Sequence, residues 1–527
     1  MSDQKGVENR PIGAVLVVGG GIAGMQAALD LADGGFFVYL VEKGPSIGGV
    51  MAQLDKTFPT NDCSTCMISP RLVQVSGHKA IEVISMAELV ELSGKPGSFT
   101  ATLMKRPRYV DEDKCIGCGI CATKCPKKVT DPFNEGLGKR KAIFLDYPQA
   151  IPAVYCIDKD ACIYFTKGKC RACEKFCDSN AIDFDQQPTE IQVEVGAVLL
   201  APGFRAFEPS RKAELGFGRY ADVITSVQFE RMLAAAGPFG GHLTRLSNGE
   251  KPKNIAWIQC VGSRDCSLGN DYCSYVCCMY ATKHAILASE HDPDVASTIF
   301  FIDLRAQGKG FDRYYERAKR DWGVRYVRSM ISRVIENPTT GELDVQFFDE
   351  AGVLQQEGFD LVVLSVGLEA EKDGVDLAKK LGIQLDAFGF ANRNGLNPLL
   401  TNREGIFVAG AFCGPKDIPE TVTQASGAAA QAAELLAPAR GLLIPEKVIH
   451  KSRDVSGEDP RIGVFICHCG INIAGVVDVA DVAEYAKTLP GVVHSEHMMF
   501  SCSIDSQKLI RERIADQQLN RVIVAPA

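Results

Sequence analysis

The sequence predicts an α/β fold: two parallel-sheet units in one chain, a cysteine-rich insertion in the first, and a short α/β unit after them. Three observations carry the prediction. The apolar run Ala14 to Val18 breaks into glycines and then into a helical pattern. A second run, Asn254 to Gln259, breaks instead into cysteines. Between them, residues 106–189 hold nine of the chain's 20 cysteines and little long periodicity.

The totals narrow the field. A chain of 527 residues can bury several cores. Its 57 basic and 65 acidic residues leave a net charge of −8, which argues against a nucleic-acid surface. The start, MSDQKGVENRPIG, is polar and reads as no signal peptide. No apolar stretch approaches the roughly 18 residues of a membrane span, so a cytoplasmic chain with no direct membrane span is expected. Without a secretory leader, tightly spaced cysteines read as thiolates on metal rather than as disulfides.

The first unit opens with a strand, then Gly19-Gly20-Gly21-Ile22-Ala23-Gly24, then a helix. In this G-x-G-x-x-G, Gly19 permits the tight turn, Gly21 admits a pyrophosphate, and Gly24 lets helix and strand pack closely. The second strand, Phe37–Val41, ends at Glu42, where a carboxylate meets a ribose hydroxyl. FAD is favoured over NAD. Glu42-Lys43 running to Gly48-Gly49 resembles the phosphate-contacting continuation of two-dinucleotide flavoproteins. Leu199 to Gly203, with Ala201, and Gly405 to Gly410 resemble that family's later strand–turn signatures. An Asp often follows the final glycine there; here it is Ala411, and Lys416, Asp417 or the helix start at Thr421–Gln424 would take over that role, with Ile418 a further cofactor contact. Short strands are expected near 80–84 and 98–103, and scaffold strands resume over 191–200.

The insertion carries Cys115, Cys118, Cys121 and Cys125 as C-x2-C-x2-C-x3-C-P, then Cys162, Cys170, Cys173 and Cys177. In this bacterial-ferredoxin spacing three thiolates hold one [4Fe–4S] cube and the fourth crosses to the other. One cluster then takes Cys115, Cys118, Cys121 and Cys177; the other takes Cys125, Cys162, Cys170 and Cys173. A zinc loop would favour paired C-x2-C at longer separation. Asp178 stands where a proline usually follows, and Cys156 reads as a small apolar residue.

The second unit, over 250–370, is expected to have a strand at 254–259, a helix at 274–290, a strand at 298–303, a helix at 311–321 and a strand at 360–366. A nicotinamide nucleotide would need glycines after its first strand, and the chain reads Cys260-Val-Gly-Ser-Arg-Asp. Cys273 and Cys277 are expected to share one helix face at i, i+4, with Cys278 about 100° further round. With Cys260 they make a third [4Fe–4S] site, and the flavin trades a hydride partner for a one-electron neighbour. The bland readings are a buried cysteine patch or a Cys277–Cys278 disulfide; Cys266 reads as a loop residue.

Together these residues resemble the flavin-bearing component of the heterodisulfide reductase family. The likeness runs over most of 10–455 and includes PTNDCSTCMISPRLV (59–73), FNEGLGKRKAI (133–143), KGKCRACEKFC (167–177), IQCVGSRD with YCSYVCCMYA, and GPKDIPETVTQASGAA (414–429). The resemblance implies a thioredoxin-reductase-like, two-dinucleotide-binding-domain flavoprotein with an inserted 2[4Fe–4S] ferredoxin domain, binding FAD and at least three clusters. Its domains would be FAD-binding segments 1–105, 190–250 and 371–455, the insert 106–189, and the cluster-bearing unit 251–370. It implies an oxidoreductase performing flavin-based electron bifurcation, with Lys416 as a catalytic residue near the flavin ring. The implied partners are other iron–sulfur subunits and ferredoxin, in a dimer of complexes.

After a polar linker, 444–460, RIGVFICHCGINIAGVVDV (461–479) resembles that family's N-terminal domain. The unit 461–527 is expected as a fragment with a helix near 479–487 and a strand at 522–525. There Cys469 and Cys502 are candidate ligands of a further cluster, Cys467 a weaker one, and Cys63 with Cys66 would complete it or form a buried pair or a disulfide. Two other readings stand open: a non-bifurcating protein resembling the quinone-interacting flavoprotein of sulfate reducers, and an NAD(P)H oxidoreductase resembling the small subunit of glutamate synthase.

Overall fold

The structure is a computed structural model that describes residues 10–392, 395–444, 454–468, 471–501 and 503–525. Its first sheet has five parallel strands in the order 406–408, 197–200, 14–18, 37–41 and 81–84. Ala14–Val18 at its centre is buried on both faces, as crossover helices require of a parallel sheet. Successive side chains alternate. Val15 and Val17 pack on Met25, Leu29 and Ala428 on one side, and Leu16 and Val18 pack on Phe99 and Leu103 on the other. Helix Ile22–Asp33 follows the glycine turn, and helix Ile418–Leu435 packs against it.

Leu16 and Val18 meet an antiparallel sheet of 87–95, 98–105 and 189–195. Lys105 pairs with Thr189 in it, so the insertion leaves and returns at one hairpin tip without breaking the scaffold. The insertion has two small hairpins, three short helices and its own core of Tyr109, Val110, Ile143, Ile157 and Phe184. The strands expected over 191–200 are two. Gly196 divides them, its Cα pressed so close that a Cβ would stand 2.3 Å from the Ile12 carbonyl oxygen. There the chain passes from the antiparallel sheet, Thr189–Val195, to the parallel one, Ala197–Leu200.

The second sheet, also parallel, runs 223–225, 361–366, 254–261, 296–301 and 325–328. Ile255 and Trp257 bury against Met279, Ala281 and Ala285 of helix Cys277–His291. That helix begins three residues later than the sequence predicts. Ser274 is tied down by its neighbours, its N–H donating to Ser263 Oγ at 2.9 Å and its Oγ accepting from Leu368 N at 2.9 Å. Tyr275 is left-handed at φ 69°, which no helical residue can be. Cys273 therefore lies in the loop before the helix, and the i, i+4 relation to Cys277 does not hold.

Strands 462–467, 492–498 and 521–525 form a third, parallel sheet, flanked by helices Val479–Lys487 and Ile504–Asp516. Among the described residues no helix is long and apolar enough to cross a membrane.

Candidate functional site: a nucleotide cavity beside a cysteine cradle

A cavity of about 320 Å³ lies between the two parallel sheets, at the C-terminal ends of their strands. Such a crevice is where open α/β sheets bind ligands. From the first unit it is walled by Gly19, Gly21, Ile22, Ala23, Glu42, Gly49, Ala201, Gly203, Gly410, Lys416, Asp417, Ile418 and Thr421. Four residues expected at a cofactor lie off this wall. Gly24 packs helix on strand: a Cβ there would stand 1.8 Å from the Gly19 carbonyl oxygen. Lys43 is drawn outward to Asp373. Gly48, at φ 130°, turns beneath the Tyr147 hydroxyl. Gln424 lies a turn along its helix and approaches Glu420 at 3.4 Å.

The wall fits a dinucleotide. A Cβ on Gly21 would meet nothing within 4 Å, so the backbone there faces open space at a helix N-terminus, which favours a pyrophosphate. Glu42 accepts from Gly20 N and Gly44 N, each at 2.7 Å, which fixes its carboxylate at the end of the second strand. Burial pushes its pKa up against those bonds. Lys416 is buried, its Nζ donating to the Gly410 carbonyl at 2.8 Å and the Gly414 carbonyl at 2.6 Å. Asp417 caps the following helix by accepting from Glu420 N at 2.8 Å.

The equivalent turn of the second unit is closed. Gly262 is covered by the buried ring of Phe207, whose nearest atom would stand 2.0 Å from a Cβ. The strand register shifts between Ile258 and Val261, and Cys260 is left-handed at φ 60°. This bulge re-aims the thiol. Cys273 lies close enough to Cys260, Cys277 and Cys278 to raise the pKa of each after burial has done so. Cys260 is pushed up to about 11 by burial and then by Cys278 and Cys273, and Cys277 is pushed far up by burial and then by Cys260. Burial of this kind disfavours the thiolate forms of Cys260, Cys277 and Cys278 unless a cation compensates them. Tyr275 N donates to Cys273 Sγ at 3.3 Å. Tyr280, one turn beyond Cys277, and Val276, just before it, both line the cavity.

In the insertion, Cys125, Cys162, Cys170 and Cys173 line one small cavity together. Cys125 thus stands with the second cysteine set. Cys121 is pushed up to about 12 by burial and then by Cys115 and Cys118. Cys177 joins the same core, its Sγ accepting from Ala181 N at 3.3 Å. Among the described residues no three such side chains close on one point as they would around a single ion. In a cube each thiolate takes its own iron, so its sulfurs stand further apart. Cys63 caps helix Ser64–Gly77, accepting from Cys66 N at 3.4 Å. Cys467 accepts from Ser501 N at 3.4 Å. Cys469 and Cys502 lie outside the described residues. Cys156 is buried and Cys266 exposed.

A buried polar group on this wall escapes the sequence motifs. Glu230 Oε1 accepts from Lys283 Nζ and meets His284 Nε2. Its Oε2 accepts from Asp55 N at 2.9 Å, and Lys283 Nζ also donates to the Lys56 carbonyl at 2.6 Å. Burial pushes Glu230 up, but Lys283 and His284 outweigh it and hold the carboxyl well below the usual range. Asp55 is pushed up to about 6 by burial, against Lys56 at 3.5 Å. The available signal was a Lys-His pair inside the apolar helical run ATKHAILAS, where charges survive only if partnered.

Fold and site together define a two-nucleotide flavoprotein-type oxidoreductase. The model for pyridine nucleotide-disulphide oxidoreductases matches residues 13–431, and the chain belongs to that family. Among curated relatives, the iron-sulfur A-type component of CoB–CoM heterodisulfide reductase from Methanocaldococcus jannaschii is 48% identical over 417 residues, 79% of this chain and 63% of that protein. The corresponding iron-sulfur component (form 2) of Methanopyrus kandleri is 50% identical, over 80% of this chain and 64% of its own. The corresponding component of the H2:CoB-CoM heterodisulfide,ferredoxin reductase of Methanothermobacter marburgensis is 46% identical, over 79% and 63%. The resemblance read from the motifs is borne out, and the chain spans less than two thirds of the length of these relatives. Among solved structures, thioredoxin reductase of T. acidophilum covers 80% of this chain and 97% of its own at 13% identity, with a TM-score of 0.45.

Proposed function

We propose that the chain is the FAD and iron–sulfur subunit of a heterodisulfide-reductase-like complex. In this reading it bifurcates electrons from a two-electron donor, one to a low-potential ferredoxin and one to a higher-potential acceptor. The single observation that carries it is the contrast between the two turns. The first leaves Gly21 open, while the second covers Gly262 with Phe207 and brings four cysteines to the strand end. When bound, the flavin supplies the change between two-electron and one-electron chemistry. Gly21 and the helix behind it would hold the pyrophosphate, and Glu42 the ribose. Cys115, Cys118, Cys121 and Cys177, then Cys125, Cys162, Cys170 and Cys173, then Cys260, Cys273, Cys277 and Cys278 would hold three cubes. Lys283 and Glu230 balance each other's charge on the cavity wall, so the wall stays polar without water to compensate it. Lys416 stiffens the turn from Gly410 to Gly414.

The partners in this reading are other iron–sulfur subunits and ferredoxin, assembled as a dimer of complexes in the cytoplasm. The anaerobically purified native complex, assayed with and without its flavin, tests it. Coupled reduction of a low-potential ferredoxin is expected only with flavin bound. Coupling that survives flavin removal rejects the reading, as does bleaching of the flavin by NADH on this chain alone.

A further inference from the structure

In both parallel sheets a carboxylate follows the second strand. In the first, strand Phe37–Val41 is followed at once by Glu42, which lines the nucleotide cavity. In the second, strand Ala296–Phe301 is followed two residues on by Asp303. A nicotinamide dinucleotide would present its ribose there, but Phe207 covers the turn it would need. Asp303 instead holds two cations. Its Oδ1 accepts from Arg264 Nη1 and, at 3.4 Å, from Arg305 Nε; its Oδ2 accepts from Arg305 Nη2 at 3.5 Å.

Both arginines approach the cysteines of this unit. The Arg264 guanidinium lies within hydrogen-bonding reach of the Cys260 thiol, and that of Arg305 within reach of the Cys273 thiol. The same loop meets a third thiol through its backbone: Cys278 Sγ stands 3.9 Å from the Asp303 carbonyl oxygen, within reach of the Arg305 N–H. Arg264 is left-handed at φ 57°, as Cys260 is at φ 60°. A residue with a Cβ keeps such a backbone only where its surroundings over-determine it. Here Arg264 N donates to the Tyr272 carbonyl at 2.8 Å. The side chains of Arg264, Arg305 and Asp303 are 21%, 36% and 43% exposed, so solvent screens their charges only in part. All three lie off the wall of the nucleotide cavity, which near Cys277 is built from the neutral Val276 and Tyr280. Cations and hydrogen bonds at the sulfurs of a cluster stabilise its more negative, reduced form and so raise its potential.

We infer that Arg264 and Arg305, clamped by Asp303 where the ribose carboxylate of a dinucleotide site would stand, are positioning residues that set two positive charges on the thiolates of the third cluster and raise its reduction potential. This assignment rests on the proposed function, in which Cys260, Cys273, Cys277 and Cys278 hold a cube. It names the residues that make that cube a ready acceptor for a single electron from the flavin.

Redox titration of the anaerobic chain with FAD and iron in place, followed by electron paramagnetic resonance, tests it. The signal lost in Cys273→Ala identifies the third cluster. Arg264→Gln and Arg305→Gln should each make that cluster about tenfold harder to reduce, a midpoint about 59 mV lower for one electron, at unchanged iron content. Arg305→Lys keeps the charge and should recover most of the shift. Asp303→Asn separates a clamp from a bystander: loss of an anion would by charge alone raise the midpoint, whereas release of two arginines should lower it. The inference is overturned by unmoved midpoints in Arg264→Gln and Arg305→Gln, by loss of the signal there instead of a shift, or by a raised midpoint in Asp303→Asn. It is overturned equally if Arg305→Lys shifts as far as Arg305→Gln. Cys273→Ala with all its iron and signals refutes the third cube itself; a cube that is present with unmoved midpoints refutes the arginine assignment alone.

Discussion

At the scale of single residues, the polar group behind the cavity has the most to lose. Glu230 is the one carboxylate on which both Lys283 and His284 rely, and all three are buried. Glu230→Gln leaves the Lys283 ammonium uncompensated away from water, which costs about 3–5 kcal/mol. The denaturation midpoint should drop accordingly, and adding Lys283→Met should recover most of the loss; a single variant as stable as the parent contradicts the ion-pair account. Asp55 predicts the opposite sign. Its carboxyl sits at about 6 against an unfolded value of 3.8, so the folded state holds the proton more tightly. The penalty for ionising it is absent below about pH 4 and complete above about pH 6, roughly 3 kcal/mol at 1.36 kcal/mol per unit. Asp55→Asn should therefore raise Tm more at pH 8 than at pH 5.5, and an equal gain at both would contradict the shift. The cysteines were legible in the sequence because their spacing is itself the chemistry. Glu230, Asp55 and Lys283 were not, because they are 53 to 228 positions apart and only the fold makes them neighbours.

At the scale of elements, the turn from Val18 to Ile22 separates two kinds of glycine. Gly21 faces open cavity, so Gly21→Ala should fold normally and weaken FAD retention at least about tenfold, or 1.4 kcal/mol. Gly24 meets the Gly19 carbonyl, so Gly24→Ala should destabilise the helix–strand contact itself, by about 1–3 kcal/mol. Thermal melts with and without added FAD distinguish them; equal behaviour of the two variants contradicts the assigned roles. This turn was readable in advance because three glycines at fixed spacing admit few other structures. The helix after Cys260 was readable in kind but not in its start. Apolar periodicity extends back through Val276, whereas the true boundary is set by Ser274, held by Ser263 eleven residues earlier and by Leu368 at the start of a strand 94 residues later. The place where the two strands near Gly196 divide was not readable: the alternating TEIQVEV runs directly into the apolar AVLL, and only the change of sheet shows where one ends.

At the scale of the whole molecule, one scaffold has been used twice with opposite results. Both sheets present a strand end, a turn and a helix start to a shared cavity. The first keeps its turn open, and the second fills it with Phe207 and gathers Cys260, Cys277 and Cys278 near its strand end, with Val276 and Tyr280 between them and the cavity. The insertion grows from a hairpin tip, so a separate small core can be added without disturbing either sheet. The two-unit plan was legible from the repeated strand–turn–helix pattern; the cavity joining the units was not, since no motif spans it. The central claim is that the cysteines beside this cavity carry a cube where a nicotinamide would otherwise sit. Iron and acid-labile sulfide per FAD, measured on the anaerobically purified chain and on Cys273→Ala, test it most directly. The account predicts a loss of about four irons with FAD retained; the same iron content in both proteins would contradict it.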